Sequence, residues 1–320
     1  MKFFSLILIT VLLGGTAGAQ EINFSRVQDM TTWYNQSLKT DKNSDIKFNM
    51  RSVKYDGMMA YKSVAAMIDL PLLSKDSRQE ENSGYLSLSV GGASDKSNEG
   101  ILNNTLGLVG LSYAVPVGKN ETYIAFGAQG SYYQSKLNVG NTVAFGDQYD
   151  QYGPVEGMQS SDRLASGWSY SHISVNAGLS VFSNAASNKW YVGASVLQIN
   201  KPYTDDKKTA DFRLNQMLSI QGGYKYITPQ GDNCSVSMTL NWQGKAYKHF
   251  FNVTYFKAIP NIPAGVGFGL GYRYDDALVP NIDLKYSKIT VGLLYDVNIS
   301  AFNPAGFKRN GMELAVKLDF

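Results

Sequence analysis

The chain has 320 residues with 29 Lys+Arg against 26 Asp+Glu, a net charge of +3, and its basic residues are scattered rather than clustered, which argues against a nucleic-acid partner. It holds 21 Tyr, 31 Gly and one cysteine, Cys234, so no internal disulfide is possible and the lone thiol reads as a small side chain at a strand start. No stretch supplies roughly 18 uninterrupted apolar residues, which excludes a helical membrane protein.

In chain order, Met1 and Lys2 give a positive start, Phe3 to Leu13 an apolar run, and Ala17-Gly18-Ala19 a small-residue cleavage site. Residues 1–19 therefore read as a signal peptide cut before Gln20, followed by a single domain over 20–320. Residues 20–44 form a polar lead-in. Between Arg26 and Lys42 there is no sustained alternation, and Trp33 and Tyr34 stand alone in its middle. Two placements fit such a segment: a periplasmic lead-in, or a piece packed inside whatever follows.

From Ile46 onward, apolar residues recur at every second position in runs bounded by Gly, Asn, Asp and Pro. The clearest runs are Leu86 to Val90, Thr105 to Val115, Thr122 to Tyr133, Ser171 to Phe182, Trp190 to Val196, Leu218 to Tyr226, Val236 to Trp242, Phe250 to Phe256 and Val266 to Tyr274. Weaker ones lie at Ile46 to Val53, Val64 to Leu70 and Ile282 to Tyr286. The last two are the cleanest. Ile289, Val291, Leu293, Tyr295, Val297 and Ile299 alternate with polar residues, and Met312, Leu314, Val316, Leu318 and Phe320 do so against Glu313, Lys317 and Asp319. A strand with lipid on one face and water on the other is written this way. The fold class expected is all-β: a transmembrane antiparallel β-barrel of about 14 strands.

The connections support this, because long and short ones alternate along the chain. Long outward connections are expected at Gly92 to Asn104, Asn138 to Gly167, Lys201 to Asp211 and Ala301 to Asn310. Short inward ones are expected at Gly118 to Glu121, Ser183 to Lys189, Thr228 to Asn233 and Ser287-Lys288. An even strand count puts both termini in the periplasm of a diderm bacterium, with the barrel in the lipid bilayer of its outer membrane. Leu73 to Ser83 breaks the rule by being long and charged where a short turn belongs; it signals either a periplasmic role or a misread register in the first two strands.

The chemistry is sparse. Gly265, Gly267, Gly269 and Gly271 recur within a strand with no helix after them, so they read as relief from crowding in the wall or lumen, not as a phosphate loop. His172 and Ser174 share a strand face and are the best catalytic candidate, an outer-membrane lipase dyad. Alternation turns both away from the lipid-facing Ile173 and Val175, and no neighbouring acid orients the imidazole. His172 and His249 are the only histidines, with no metal-ligand spacing. Asp205-Asp206, Asp275-Asp276 and Asp147-Gln148-Tyr149-Asp150 read as solvated loop charge rather than calcium ligands. Lys225, Asp296, Glu313 and Lys317 read as lumenal, and Phe302, Pro304, Phe307, Lys308 and Arg309 as an exposed loop with docking as the alternative. No catalytic, cofactor or metal residue is assigned.

From Gly146-Asp147-Gln148-Tyr149-Asp150 onward the chain resembles the PorP/SprF family of type IX secretion outer-membrane proteins. Ser174 to Leu179, Lys189 to Val196 with Asn200-Lys201-Pro202, Gln221 to Tyr226, and Thr290 to Val297 follow in the family's order. The resemblance runs from about Asn35 to Phe320. Of the family's Asn-Pro-Ala-Tyr-Ala-Gly stretch near the mature N-terminus, only Asn35 of Tyr34-Asn35-Gln36-Ser37-Leu38 has a counterpart. The resemblance implies a non-enzymatic barrel, without cofactor, that works with other secretion components to dock or anchor secreted surface adhesins and is linked to gliding machinery. Two other functions stay open at this point: a channel through the lumen, and the lipase at His172 and Ser174.

Overall fold

Alternation becomes architecture in the computed structural model, which describes residues 24–320 apart from 56–57, 73–82, 98–99, 119–120, 140–144, 156, 163–164, 205–212 and 301–308. The barrel strands are β1 (Asp45–Tyr55), β2 (Met58–Leu72), β3 (Tyr85–Ser97), β4 (Leu102–Pro116) and β5 (Thr122–Leu137). After a small hairpin of β6 (Tyr149–Asp150) and β7 (Gly153–Pro154) come β8 (Trp168–Asn184), β9 (Asn188–Leu197), β10 (Met217–Ile227) and β11 (Asn233–Gln243). The wall ends with β12 (Ala246–Ala258), β13 (Ala264–Arg273), β14 (Ala277–Tyr286), β15 (Ile289–Asn298) and β16 (Arg309–Asp319). All neighbours are antiparallel, and β16 returns to β1 in register from Asp45↔Asp319 to Tyr55↔Arg309, closing a 14-stranded barrel. Closure leaves no edge in the hydrocarbon, so backbone groups there are satisfied strand to strand.

Both ends of the barrel chain, Asp45 and Asp319, lie at one rim with the short connections 185–187 and 287–288; this is the turn end. The connections 138–167 and 198–216 lie at the opposite rim, the loop end. Outward positions are apolar at mid-wall, for example Val109, Leu111, Val175, Leu179, Leu270 and Leu293. Tyr113, Trp190, Tyr224, Tyr255 and Tyr286 ring the wall toward the turn end, and Tyr132, Trp242, Tyr247, Tyr274 and Tyr295 toward the loop end. Two aromatic girdles flanking an apolar belt mark the two membrane interfaces. A lysine or arginine placed at mid-belt would cost roughly 2–4 kcal/mol.

The wall is uneven in height. Strands β2 to β5 and β8 have 13 to 17 residues, whereas β9 to β11 and β13 to β16 have 10 or 11. This corrects one expectation: Gly92 to Asn104 is not a loop, because β3 continues to Ser97 and β4 resumes at Leu102. The apolar signal disappears there because both faces are polar, Ser94 and Lys96 outward and the buried Asp95 and Ser97 inward. Segment 73–83 does join strands at the turn end, and its residues 73–82 lie outside the described ones. The signal peptide, Asp205-Asp206 and Phe302 to Lys308 lie outside them too.

Candidate functional site: a lumen filled by the N-terminal segment

Residues 24–43 occupy the lumen, which decides between the two placements the sequence allows. The segment has 3-10 turns at Val27–Asp29 and Gln36–Leu38 and one helical turn at Thr31–Tyr34, and most of its side chains are buried against the wall. Short polar turns, rather than strand or helix, let the backbone reach hydrogen-bonding groups on many wall strands.

One side of this plug is held by shape. Asn35 leaves the helical turn in an extended conformation and folds its side chain over the next turn, its Oδ1 accepting from Ser37 N (3.1 Å) and Ser37 Oγ (2.7 Å). Its Nδ2 donates to Gln221 Oε1 on β10 at 3.0 Å. The wall in turn donates to the plug backbone: Ser195 Oγ to Tyr34 O at 2.6 Å and Ser180 Oγ to Ser37 O at 2.8 Å. Beneath this stretch lie Gly110, Gly127, Gly178 and Gly193 on the adjacent strands β4, β5, β8 and β9. A Cβ on Gly127 would stand 2.5 Å from Ser37 N, one on Gly193 2.7 Å from Asn35 Nδ2, and one on Gly178 would overlap the Asn35 carboxamide. Only glycine lets the two backbones come this close.

The other side is held by charge. Glu313 accepts from Ser25 N (2.6 Å), Arg26 N (3.0 Å) and Asn49 Nδ2 (3.0 Å). Arg26 pairs with Asp29 at 2.6 Å and with Asp283 of β14. Burial disfavours the charged form of Arg26, but Asp29 and Asp283 outweigh it and raise its pKa further above the usual range. Burial likewise pushes the Asp29 carboxyl up, while Arg26 and, at longer range, Lys317 hold it below the usual carboxylate value. Asp296 accepts from Arg51 (2.6 Å), Arg273 (2.8 Å) and Ser25 Oγ (3.1 Å). Toward the turn end, Lys39 bridges to Asp45 at 2.6 Å and Asp41 at 3.0 Å, and Lys47 to Asp69 at 2.5 Å. Thr32 also donates to Asp69, at 3.0 Å. Buried ions in such numbers persist only when each is paired and hydrogen-bonded.

The plug leaves space on both sides. Toward the loop end, a cavity of about 80 Å³ is lined by Trp33, Tyr34, Leu106, Leu108, Tyr133, His172, Ser174 and Met217, among others. Toward the turn end, polar spaces of about 370 and 300 Å³ are lined by Lys225, Lys285, Lys317 and Asp29, and by Lys189, Tyr191 and Asp41.

The catalytic candidates His172 and Ser174 sit on the inner face of β8, away from lipid. Ser174 is 2% exposed, and the His172 ring packs on Tyr133 and Tyr170 with its Nδ1 unpartnered. No hydrogen bond joins the pair among the described residues. Asp296 and Glu313 are lumenal and seat the plug, while Lys225 and Lys317 line the turn-end space. The β13 glycines face the lumen, where a Cβ on Gly265 would strike the Phe256 ring and one on Gly269 would strike Asn281. Cys234 is the exposed second residue of β11, paired to Tyr226 and Tyr255. Asp276 is not simply solvated: burial raises its pKa, but its ion pairs with Arg273 and Arg309 bring it below the usual range. Asp147 accepts from Ser160 Oγ at 2.6 Å and from Ser161 N at 2.6 Å, which lowers its pKa and folds the 146–161 loop on itself. His249 lies on the outer face among Trp242, Tyr247 and Tyr274. Among the described residues no three His, Cys, Asp or Glu side chains gather as metal ligands. The plug-seating glycines escape sequence reasoning, although glycine at an inward position on four successive wall strands is the signal that marks them.

A closed barrel with an apolar belt, two girdles and a filled lumen is an outer-membrane β-barrel. The family model for the type IX secretion system membrane protein PorP/SprF matches residues 37–317, and the chain belongs to that family. Among solved structures, the Ralstonia pickettii toluene transporter TbuX is similar at 8% identity and a TM-score of 0.54, covering 96% of this chain and 95% of that one. The Pseudomonas putida toluene transporter TodX is similar at 7% identity and 0.51, again over 96% and 95%. A Pseudomonas aeruginosa FadL homologue follows at 8% and 0.51, over 89% and 92%. These likenesses define the fold alone. No curated protein matches.

Proposed function

We propose that this barrel is a non-enzymatic docking subunit of the type IX secretion system, with its loop end outside the cell and its turn end in the periplasm. A signal segment ending at Ala19 would deliver it to the outer membrane. The loops would hold an exported surface protein such as an adhesin, and the turn end, including segment 73–83, would meet other secretion components, with a link to gliding machinery. The observation that carries this reading is the filled lumen: Asn35 seated on glycines and Arg26 locked to Asp29 and Asp283 leave a surface to bind with rather than a passage. Deleting the gene should abolish surface display of adhesin, and the purified protein should give no steady conductance in a planar bilayer. Undisturbed display and spreading would refute it.

A second reading, a channel for small apolar molecules, draws on the cavity beside Trp33, Tyr34 and Leu108 and on the transporters that share the fold. Steady conductance, or faster toluene uptake into cells carrying the protein, would favour it over docking.

A further inference from the structure

The tall part of the wall has an outer face that changes character toward the loop end. On β2, β3, β4, β5 and β8 the last apolar outward side chains are Val64, Val90, Val109, Tyr132 and Ile173, which stand in three successive rows of the register. Beyond them, past Ser94, Thr105, Gln134 and Ser171, the outward side chains are Lys62, Lys96, Asn103, Lys136 and Ser169. The register makes these five one continuous row, Lys62↔Lys96↔Asn103↔Lys136↔Ser169. An apolar-to-polar switch across five neighbouring strands is where a wall leaves the bilayer. What stands above it is a curved sheet with its outer face in water, while Asp95, Ser97, Asn104 and Ser135 on its inner face are buried.

That sheet has one open edge. The hydrogen-bonded ladder between β8 and β9 stops at Ala177↔Val196, nine residues short of the top of β8. The next two steps are improvised: Ile199 N donates to Val175 O at 2.9 Å, and Asn200 accepts from Val175 N (3.1 Å) and donates to Ile173 O (2.8 Å). Then Lys201, at φ 45°, turns the chain away into Pro202. Alternation puts the backbone N–H and C=O of Ser169 and Ser171, and the N–H of Ile173, on this same edge, while Tyr170 and His172 point theirs at β5. Among the described residues nothing pairs with them.

We propose that the upper edge of β8, Ser169 to Ser171, accepts an extended segment of an exported protein as an added strand in line with β9. This rests on the docking reading above. Main-chain pairing supplies affinity in such additions, and alternate side chains supply selectivity. Inward side chains of the guest would meet the ring stack of Trp168, Tyr170 and His172, whose neighbours lie 5.3 and 6.4 Å apart centroid to centroid, which suits aromatic or aliphatic groups. Outward ones would lie about 10 Å, two strand spacings, from the column of Lys136, within the joint reach of a lysine and a glutamate. The other lysines of that row, Lys62 and Lys96, stand on β2 and β3, four or five strand spacings from the guest, so Lys136 alone bears on its charge. The guest is therefore a strand that is acidic on its outer face and apolar or aromatic on its inner one.

The discriminating variant is Ser171→Pro. It removes one edge N–H and leaves the β5 side of the ladder intact, a substitution edge strands tolerate. Surface display of adhesin should fall about tenfold or more, the scale of losing a single main-chain anchor, while Ser171→Ala displays normally. Normal display by Ser171→Pro, in cells where gene deletion abolishes it, would overturn the strand site and leave the docking reading standing; display indifferent to deletion would overturn both. Should Ser171→Pro fail to assemble, hydrogen exchange on the detergent-purified wild-type barrel decides. The Ser169 and Ser171 amides should exchange fast and those of Tyr170 and His172 slowly; protected Ser169 and Ser171 amides in a monomer would mean the edge is already covered and the proposal wrong. A dimer that disappears in Ser171→Pro would make the guest a second copy and overturn the assignment to an exported protein.

Discussion

The plug is held in two different ways. Around Asn35 to Leu38 it rests on glycines and neutral hydrogen bonds, with hardly a charge in sight; around Ser25 to Asp29 it is held by carboxylates and guanidinium groups. Shape fixes position to a few tenths of an ångström but is indifferent to pH and salt. Charge fixes partner identity and fails when either partner is lost. A segment seated by both is located by one and locked by the other.

That division can be broken from either side. The largest effect should come from Arg26→Met, which strands Asp29 and Asp283 in the lumen and should weaken plug seating by about 3–5 kcal/mol; faster proteolysis of residues 24–43 would report it. Adding Asp29→Leu and Asp283→Leu to that variant should recover most of the loss, because replacing a whole buried ion cluster is far cheaper than orphaning its members. Recovery would establish that the charges lock rather than locate. Gly178→Val should cost about 1–3 kcal/mol by overpacking against Asn35, and bilayer recordings should then show transient openings that wild type lacks. Asn35→Ala should cost about 1–2 kcal/mol by leaving Gln221 and Ser37 unsatisfied, with the plug frayed at that point but still occluding. The smallest effect should be that of acid. Asp29 and Asp276 titrate below the usual carboxylate range, so their contribution is complete above about pH 4 and disappears as pH falls through their lowered values. Heat-modified gel mobility followed from pH 6 to pH 2 should fall in wild type and flatten in Asp276→Asn.

How much of this is legible in the sequence depends on whether the environment repeats along the chain. The wall strands can be read because lipid and water alternate at every residue of the belt, so Ile173, Val175 and Leu179 declare themselves without knowledge of their neighbours. Above the membrane the alternation fades: Ser94, Asp95, Lys96 and Ser97 are polar on both faces, and a strand there reads as a loop. The plug resists reading, since a segment satisfied by many different wall strands has no period of its own. Asn35 stands out only through its family counterpart, and nothing local says that Gly178 and Gly193 are its seat. Asp296 and Glu313 are legible as lumenal but not as plug ligands, because their partners lie more than 250 residues away.

The join between β1 and β16 also sets an order of events. The first and last wall strands seal against each other, so the cylinder cannot shut until its final residues arrive. Residues 24–43 precede β1 and occupy the bore that this seam encloses. A cylinder sealed with that peg left outside would be hollow.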